Sequence, residues 1–203
     1  MKVKHLVGAF LCVLGCYACS SPKTEVQSPD GHIKMTLTVD ENGKPFYNVS
    51  VDDSLLIENS AMGFTAANGI ILAEGFQVKN TTFSSEDETW TQPWGENKKN
   101  RNHYNEMAVS LTNEDQVQLT LRFRVFDDGI GFRYEYTVPT VDSLLITDEL
   151  TTFRFHRDGT SWSIPASAET YELLYQQQPI SEVETANTCL LYTSPSPRDR
   201  TRS

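Results

Sequence analysis

From Ile33 onward, apolar residues return at every second position in short runs parted by turn-forming residues. Ile33, Met35, Leu37 and Val39 alternate with Lys34, Thr36 and Thr38, the period of a strand with one face buried. Asn42-Gly43 follows, a dipeptide suited to the positive φ angles of a tight hairpin, and residues 46–51 return with the same period. Asp52-Asp53-Ser54 turns the chain again into residues 55–57. Residues 62–66, 75–78 and 107–111 read as further strands. Val117, Leu119, Leu121, Phe123 and Val125 form the cleanest alternation in the chain, with Gln118, Thr120, Arg122 and Arg124 between them. Asp127-Asp128-Gly129 reverses it into Ile130, Phe132, Tyr134 and Tyr136. Short strands are expected at 144–146, 151–155 and 161–164. No stretch between Ser28 and Thr188 spaces its apolar residues for a full helix. The pattern predicts an all-β fold, a large antiparallel β-sandwich.

One stretch, residues 88–106, departs from the alternation. Trp90 and Trp94 flank Pro93, Gly95 follows, and Arg101-Asn102-His103-Tyr104-Asn105-Glu106 closes it. It is too polar for a core strand and too aromatic for an ordinary loop. A long aromatic insertion on a β scaffold is a common place for recognition. The plainer alternative is a long hairpin loop whose tryptophans fold back on the sheet.

The two ends differ from the body. Lys2 and Lys4 precede an apolar run from Leu6 to Gly15, the pattern of an export signal. Val13-Leu14-Gly15-Cys16 resembles a lipobox, so Cys16 is the favoured lipidation site; Cys19 is a second candidate, and simple secretion a third possibility. Residues 1–19 are thus expected to be a lipoprotein signal and 20–27 a polar linker. The expected location is the periplasm or the outer membrane, with the lipid as the sole membrane contact. Residues 28–188 form the body. Residues 189–203 change abruptly to Ser, Pro and Arg and are expected to be a foreign or disordered tail.

Composition narrows the chemistry. The net charge of −10 argues against a nucleic-acid partner. The only cysteines are Cys12, Cys16, Cys19 and Cys189, so the body has neither disulfide nor thiolate chemistry. There is no phosphate-cradling Gly-rich loop and no nucleophile elbow, and His32, His103 and His156 lie far apart in sequence. Carboxylates are plentiful, but no spacing marks out the pair that glycoside hydrolysis needs. Trp94 and Tyr104 suit stacking on sugar rings, with Asn102, His103 and Glu106 as polar partners; packing of the same rings into a core is the competing use. Glu172, between Tyr171 and Tyr175, is a lone acid that an edge strand would turn toward water.

Several blocks in order carry a resemblance. They are Ser28-Pro29-Asp30-Gly31, Asp87-Glu88-Thr89-Trp90, Pro93-Trp94-Gly95-Glu96, the Arg101 to Glu106 block, Arg122-Phe123-Arg124-Val125-Phe126-Asp127-Asp128-Gly129-Ile130-Gly131-Phe132-Arg133-Tyr134-Glu135 and Pro179-Ile180-Ser181-Glu182. Together they resemble the N-terminal domain of glycoside hydrolase family 97, over about residues 28–188. The resemblance implies a β-sandwich of the supersandwich type that leads into a catalytic (β/α)₈ barrel. It implies hydrolysis of α-glucosides or α-galactosides, so an α-linked oligosaccharide or galactoside is the expected partner. It implies a calcium ion near the catalytic carboxylates, with a ligand at the position of Glu172. The barrel and its carboxylates have no counterpart here, so the chain itself is expected to be non-catalytic and the sandwich incomplete at its C-terminal end. Missing strands would leave open sheet edges and low stability. The rivals are a free-standing carbohydrate-binding envelope lipoprotein and a purely structural sandwich.

Overall fold

The alternating runs become strands with one face buried, as a period of two requires. The computed structural model describes residues 24–67, 70–139, 141, 143–165, 173–183 and 188–193, the last six by backbone alone. Two antiparallel four-stranded sheets face each other. The first has the order β1 (Glu25–Gln27), β2 (Ile33–Val39), β3 (Pro45–Val51), β4 (Ser54–Ala61). The second runs β10 (Gly129–Thr137), β9 (Gln118–Phe126), β8 (Lys99–Thr112), β7 (Gln77–Thr91). Between them lies one apolar core. Met35, Leu37, Tyr47 and Val49 come from the first sheet, and Met107, Val109, Leu119, Leu121, Phe123 and Val125 from the second. The all-β sandwich expected from the sequence is therefore present.

Two smaller sheets flank this core. Strands β5 (Phe64–Ala66), β6 (Ile71–Leu72) and β11 (Ile146–Glu149) form one, in the order β11-β5-β6. Phe64 meets Tyr134 at 4.7 Å between ring centroids, an edge-on contact that ties this sheet to β10. Strands β12 (Thr160–Pro165), β13 (Gln176–Pro179) and β14 (Thr188–Thr193) form the other, in the order β13-β12-β14, with a 3-10 turn at Ile180–Glu182. Strand β14 includes Cys189, the first residue of the stretch set apart by its composition.

The Asn42-Gly43 turn shows why glycine stands there. Gly43 has φ +75°, and a Cβ on it would lie 2.3 Å from the backbone nitrogen of Phe76. That nitrogen donates to the Gly43 carbonyl at 3.0 Å, so turn and neighbouring loop are in direct backbone contact.

Three local expectations are corrected, and one short strand is added. Residues 25–27, assigned to the linker, pair with β2, because Val26 is apolar and buried. Residues 88–91 and 99–106 are strand, not loop, and only residues 92–98 turn. Residues 151–155 are not a strand. They run beside β4 with one isolated bridge, Ile57 to Phe155, and the pairing is irregular: backbone bonds from the Thr152, Glu58 and His156 amides alternate with bonds to side-chain hydroxyls. Thr152 Oγ1 accepts from the Ala61 amide and Ser60 Oγ accepts from the Arg154 amide. Residues 71–72 add a short strand that has no alternation to announce it.

Candidate functional site

Strand period decides how the Arg101 to Glu106 block is used. In β8, Met107, Val109 and Leu111 face the core, so Arg101, His103 and Asn105 share that face. Asn102, Tyr104, Glu106 and Ala108 point to the opposite, outer face. The six polar residues therefore cannot converge on one ligand.

On the inner side, Asn105 Nδ2 donates to the Gln27 carbonyl of β1 at 2.9 Å. His103 Nδ1 lies 3.5 Å from Asp127 Oδ2 and has no hydrogen-bond partner. Asp127 sits in the β9–β10 turn and accepts from the Asp30 amide at 3.0 Å. These contacts hold the Ser28-Pro29-Asp30-Gly31 turn against the second sheet. Ser28 Oγ donates to Asp30 Oδ1 at 2.6 Å and keeps its carboxyl below the ordinary range.

The outer side carries an ionic network. The register places Glu106 opposite Arg124, and Ala108 opposite Arg122. Arg122 Nη1 donates to Glu106 Oε1 at 2.5 Å and Arg124 Nε to Oε2 at 2.7 Å, so both carboxylate oxygens are occupied. Glu106 is only 7% exposed, and burial alone would raise its pKa; the Arg124 and Arg122 hydrogen bonds outweigh that and lower it. Arg122 Nε also donates to Glu135 Oε1 at 3.0 Å, and Arg133 Nη2 reaches the same oxygen at 2.6 Å. Glu135 thus separates two arginines that the register sets side by side. The Arg124 guanidinium lies 4.4 Å from the centre of the Tyr104 ring, and Phe126 lies 5.3 Å away.

This arrangement is structural rather than catalytic. A general acid needs a carboxyl held protonated near neutrality, and Glu106 and Glu135 are both shifted the other way. Tyr104 has a face covered by Arg124 and is buried, so it does not offer a free stacking surface. Asn102 Nδ2 donates to Glu88 Oε1 of β7 at 2.9 Å. Trp94 alone among the candidates is free. It stands 82% exposed in the turn beyond β7, where Gly95 at φ +111° allows close approach of the Gln92 side chain. From Lys99 to Glu106 the strand covers roughly 24 Å, so Trp94 and Glu106 do not grip the same sugar. Glu172 and Cys16 lie outside the described residues. Among the described residues, no three His, Cys, Asp or Glu side chains gather to hold a metal, and no helix is long and apolar enough to cross a membrane.

Arg122, Arg124, Arg133 and Glu135 belong to the block that carries the resemblance, but the sequence did not mark them as site residues. Their signal was available: they occupy the polar phase of β9 and β10, whose shared turn sets the register. What the alternation lacked was the register of β8 on β9, which brings in Glu106.

The network implies a dependence on acid. Glu106 and Glu135 have folded-state pKa values below the ordinary 4.5, so their contribution is present above that value and is lost as pH falls through the folded values. The melting temperature is expected to be level between about pH 7 and 5 and to fall below about pH 4.5. A calorimetric scan that is level down to pH 3 would contradict this.

Comparison with known proteins places the whole arrangement. The family described as Glycosyl-hydrolase 97 N-terminal matches residues 26–197. A retaining alpha-galactosidase of Bacteroides thetaiotaomicron is 28% identical over 133 residues, covering 65% of this chain and 19% of that protein. A Glycoside Hydrolase Family 97 enzyme from Pseudoalteromonas sp. strain K8, solved in complex with panose, is 35% identical with a TM-score of 0.70, covering 78% of this chain and 25% of that one. Its complex with acarbose gives a TM-score of 0.68 at 35% identity, over 76% and 24% of the two chains. A beta-arabinopyranosidase is 25% identical with a TM-score of 0.65, over 75% and 26%. The chain spans about a quarter of the length of these solved structures and about a fifth of the α-galactosidase.

Proposed function

This chain belongs to the glycosyl-hydrolase 97 N-terminal family, and from that premise we propose that it is the non-catalytic N-terminal part of a calcium-dependent, exo-acting α-glycoside hydrolase. The observation that carries the proposal is the 35% identity and TM-score of 0.70 to an enzyme solved with an α-linked oligosaccharide, panose. The geometry supports a supporting role: Glu106 and Glu135 of the outer face are tied to arginines, and neither is a carboxylate free for catalysis. The substrate class is an α-glucoside or α-galactoside, and the catalytic barrel belongs to the same parent polypeptide. Reading the parent gene in frame past residue 188 tests this: a barrel should follow, and a stop codon in its place would overturn the proposal.

Calcium is proposed as the parent's cofactor, with Glu172 as one ligand. A hard cation takes about six to eight oxygens, so the others come from elsewhere in the parent polypeptide. Calcium there would stabilise developing negative charge. In the parent protein, Glu172→Gln is expected to weaken calcium binding, because the number of charged ligands sets calcium affinity, read by titration calorimetry. Unchanged affinity would remove Glu172 from the site. Export and lipidation at Cys16 are proposed on the signal pattern alone, and mass spectrometry of the mature N-terminus decides between Cys16 and Cys19.

The exposure of Trp94 favours a second reading, a sugar-binding surface at the hairpin tip. Trp94→Ala is expected to shift stability by less than about 0.5 kcal/mol. Retention on immobilised α-glucan that disappears in this variant would support the second reading; unaltered elution of both proteins would reject it.

A further inference from the structure

The outer face of the second sheet holds a hollow between β9 and β10 that the ionic network does not fill. Its volume is about 220 Å³, and Arg122, Arg124, Phe126, Gly131 and Arg133 are among the residues that line it. Register builds it. Gly131 stands directly opposite Arg124, and Arg133 directly opposite Arg122. Gly131 carries no side chain, and a Cβ placed on it would meet nothing within 4 Å. Arg124 and Arg133 are therefore diagonal neighbours across an open floor, about 7–8 Å apart at the backbone.

Donors and acceptors in the network do not balance. Three guanidinium groups face two carboxylates, Glu106 and Glu135. Arg122 directs its Nε, Nη1 and Nη2 at these two acids. Every oxygen of the two acids already accepts at least one bond. Among the described residues, Arg124 bonds only through Nε, and Arg133 only through Nε and Nη2. Both Nη groups of Arg124 and Nη1 of Arg133 are left over, and one positive charge is uncompensated. The Tyr104 ring covers a face of the Arg124 guanidinium and leaves its N–H edge available. Glu86, an acid in phase with Tyr104, lies on β7, two strands from β9 and about 10 Å away. In a chain of net charge −10, this positive remainder runs against the surrounding surface.

An isolated surface arginine satisfies its N–H groups with water. Here two guanidinium groups with unused donors line one hollow beside an aromatic ring. A planar fork of N–H donors matches the paired oxygens of a carboxylate or a phosphate. We propose that the hollow binds a small oxyanion, a carboxylate or phosphate group held by Arg124 and Arg133 above Gly131. The site needs no residue outside the second sheet, and it is separate from the tryptophan at the hairpin tip.

NMR tests this on the 203-residue chain. The arginine Nε–Hε and backbone amide signals are followed while sodium acetate or sodium phosphate replaces sodium chloride at constant ionic strength. Saturable shifts at Arg124, Gly131 and Arg133 are expected with at least one of the two anions, and the anion that saturates them identifies the group. Arg133→Ala removes a side chain that is 64% exposed, so the fold is expected to persist. Binding is expected to weaken about tenfold or more, the worth of one charge-assisted hydrogen bond. Gly131→Val fills the floor without altering a charge, suits an exposed strand, and is expected to abolish the shifts. Should Arg133→Ala not fold, Gly131→Val decides alone. No shift with either anion, shifts that do not saturate, or saturable shifts that survive either substitution unchanged would overturn the proposal.

Discussion

Phe123→Ala is expected to remove about 3–5 kcal/mol of stability, the range for deleting a buried aromatic ring. Phe123 is 1% exposed and stands at the centre of the second sheet, opposite Met107 on β8 and Phe132 on β10. Its ring lies 6.0 Å from that of Phe132, which in turn lies 5.5 Å from Tyr47 of the facing sheet. The ring therefore joins three strands and, through one neighbour, the other layer. Strand backbone cannot collapse into the space, because register holds β8 and β10 at fixed distance. A domain's whole stability is about 5–15 kcal/mol, so this loss is a large share of it. The variant is expected to lose its cooperative urea transition or to shift its midpoint far down at unchanged slope. A change under about 1 kcal/mol would mean that the two sheets do not share this core.

Glu106→Ala is expected to cost about 2–3 kcal/mol. Each charge-assisted hydrogen bond contributes about 1.5–3 kcal/mol, and two are lost. Two bonds at the lower end come to about 3 kcal/mol, and solvent access to the arginines reduces this further, with side-chain exposures of 27% for Arg122 and 42% for Arg124. Arg122 also keeps Glu135. Arg133→Ala, at the exposed end of the same network, should cost about 1 kcal/mol or less. A double-mutant cycle between Glu106 and Arg124 isolates the pair: a coupling near zero would show that the Arg124 bond contributes nothing and leave Arg122 as the group that holds Glu106. The contrast between the two ends separates a buried anchor from a surface ion pair, which a count of salt bridges would not.

The sheets were legible where one face is buried. β2, β3, β9 and β10 alternate cleanly because each presents one side to the core and one to water, and the turns between them use Asn-Gly and Asp-Asp-Gly. β7 was hidden because it is exposed on both sides, so burial imposes no period on residues 82–91. The outer half of β8 was hidden for a different reason. Glu106 is as buried as Tyr104, yet it is held by arginines rather than by apolar neighbours, so polarity misstated its burial. The candidate site failed to assemble from the sequence because adjacent residues on a strand point apart: Asn102, Tyr104 and Glu106 serve one face and His103 the other. The resemblance carried family membership, and no local pattern would have supplied it.

The most direct test of the account is nitrophenol release from nitrophenyl α-glucoside and nitrophenyl α-galactoside, run side by side on the purified chain and on its full parent polypeptide. A supporting wall without its barrel should release nothing above the buffer rate, while the parent should turn over one of the two substrates. Turnover by the short chain, or a folded parent inert toward both, would contradict it.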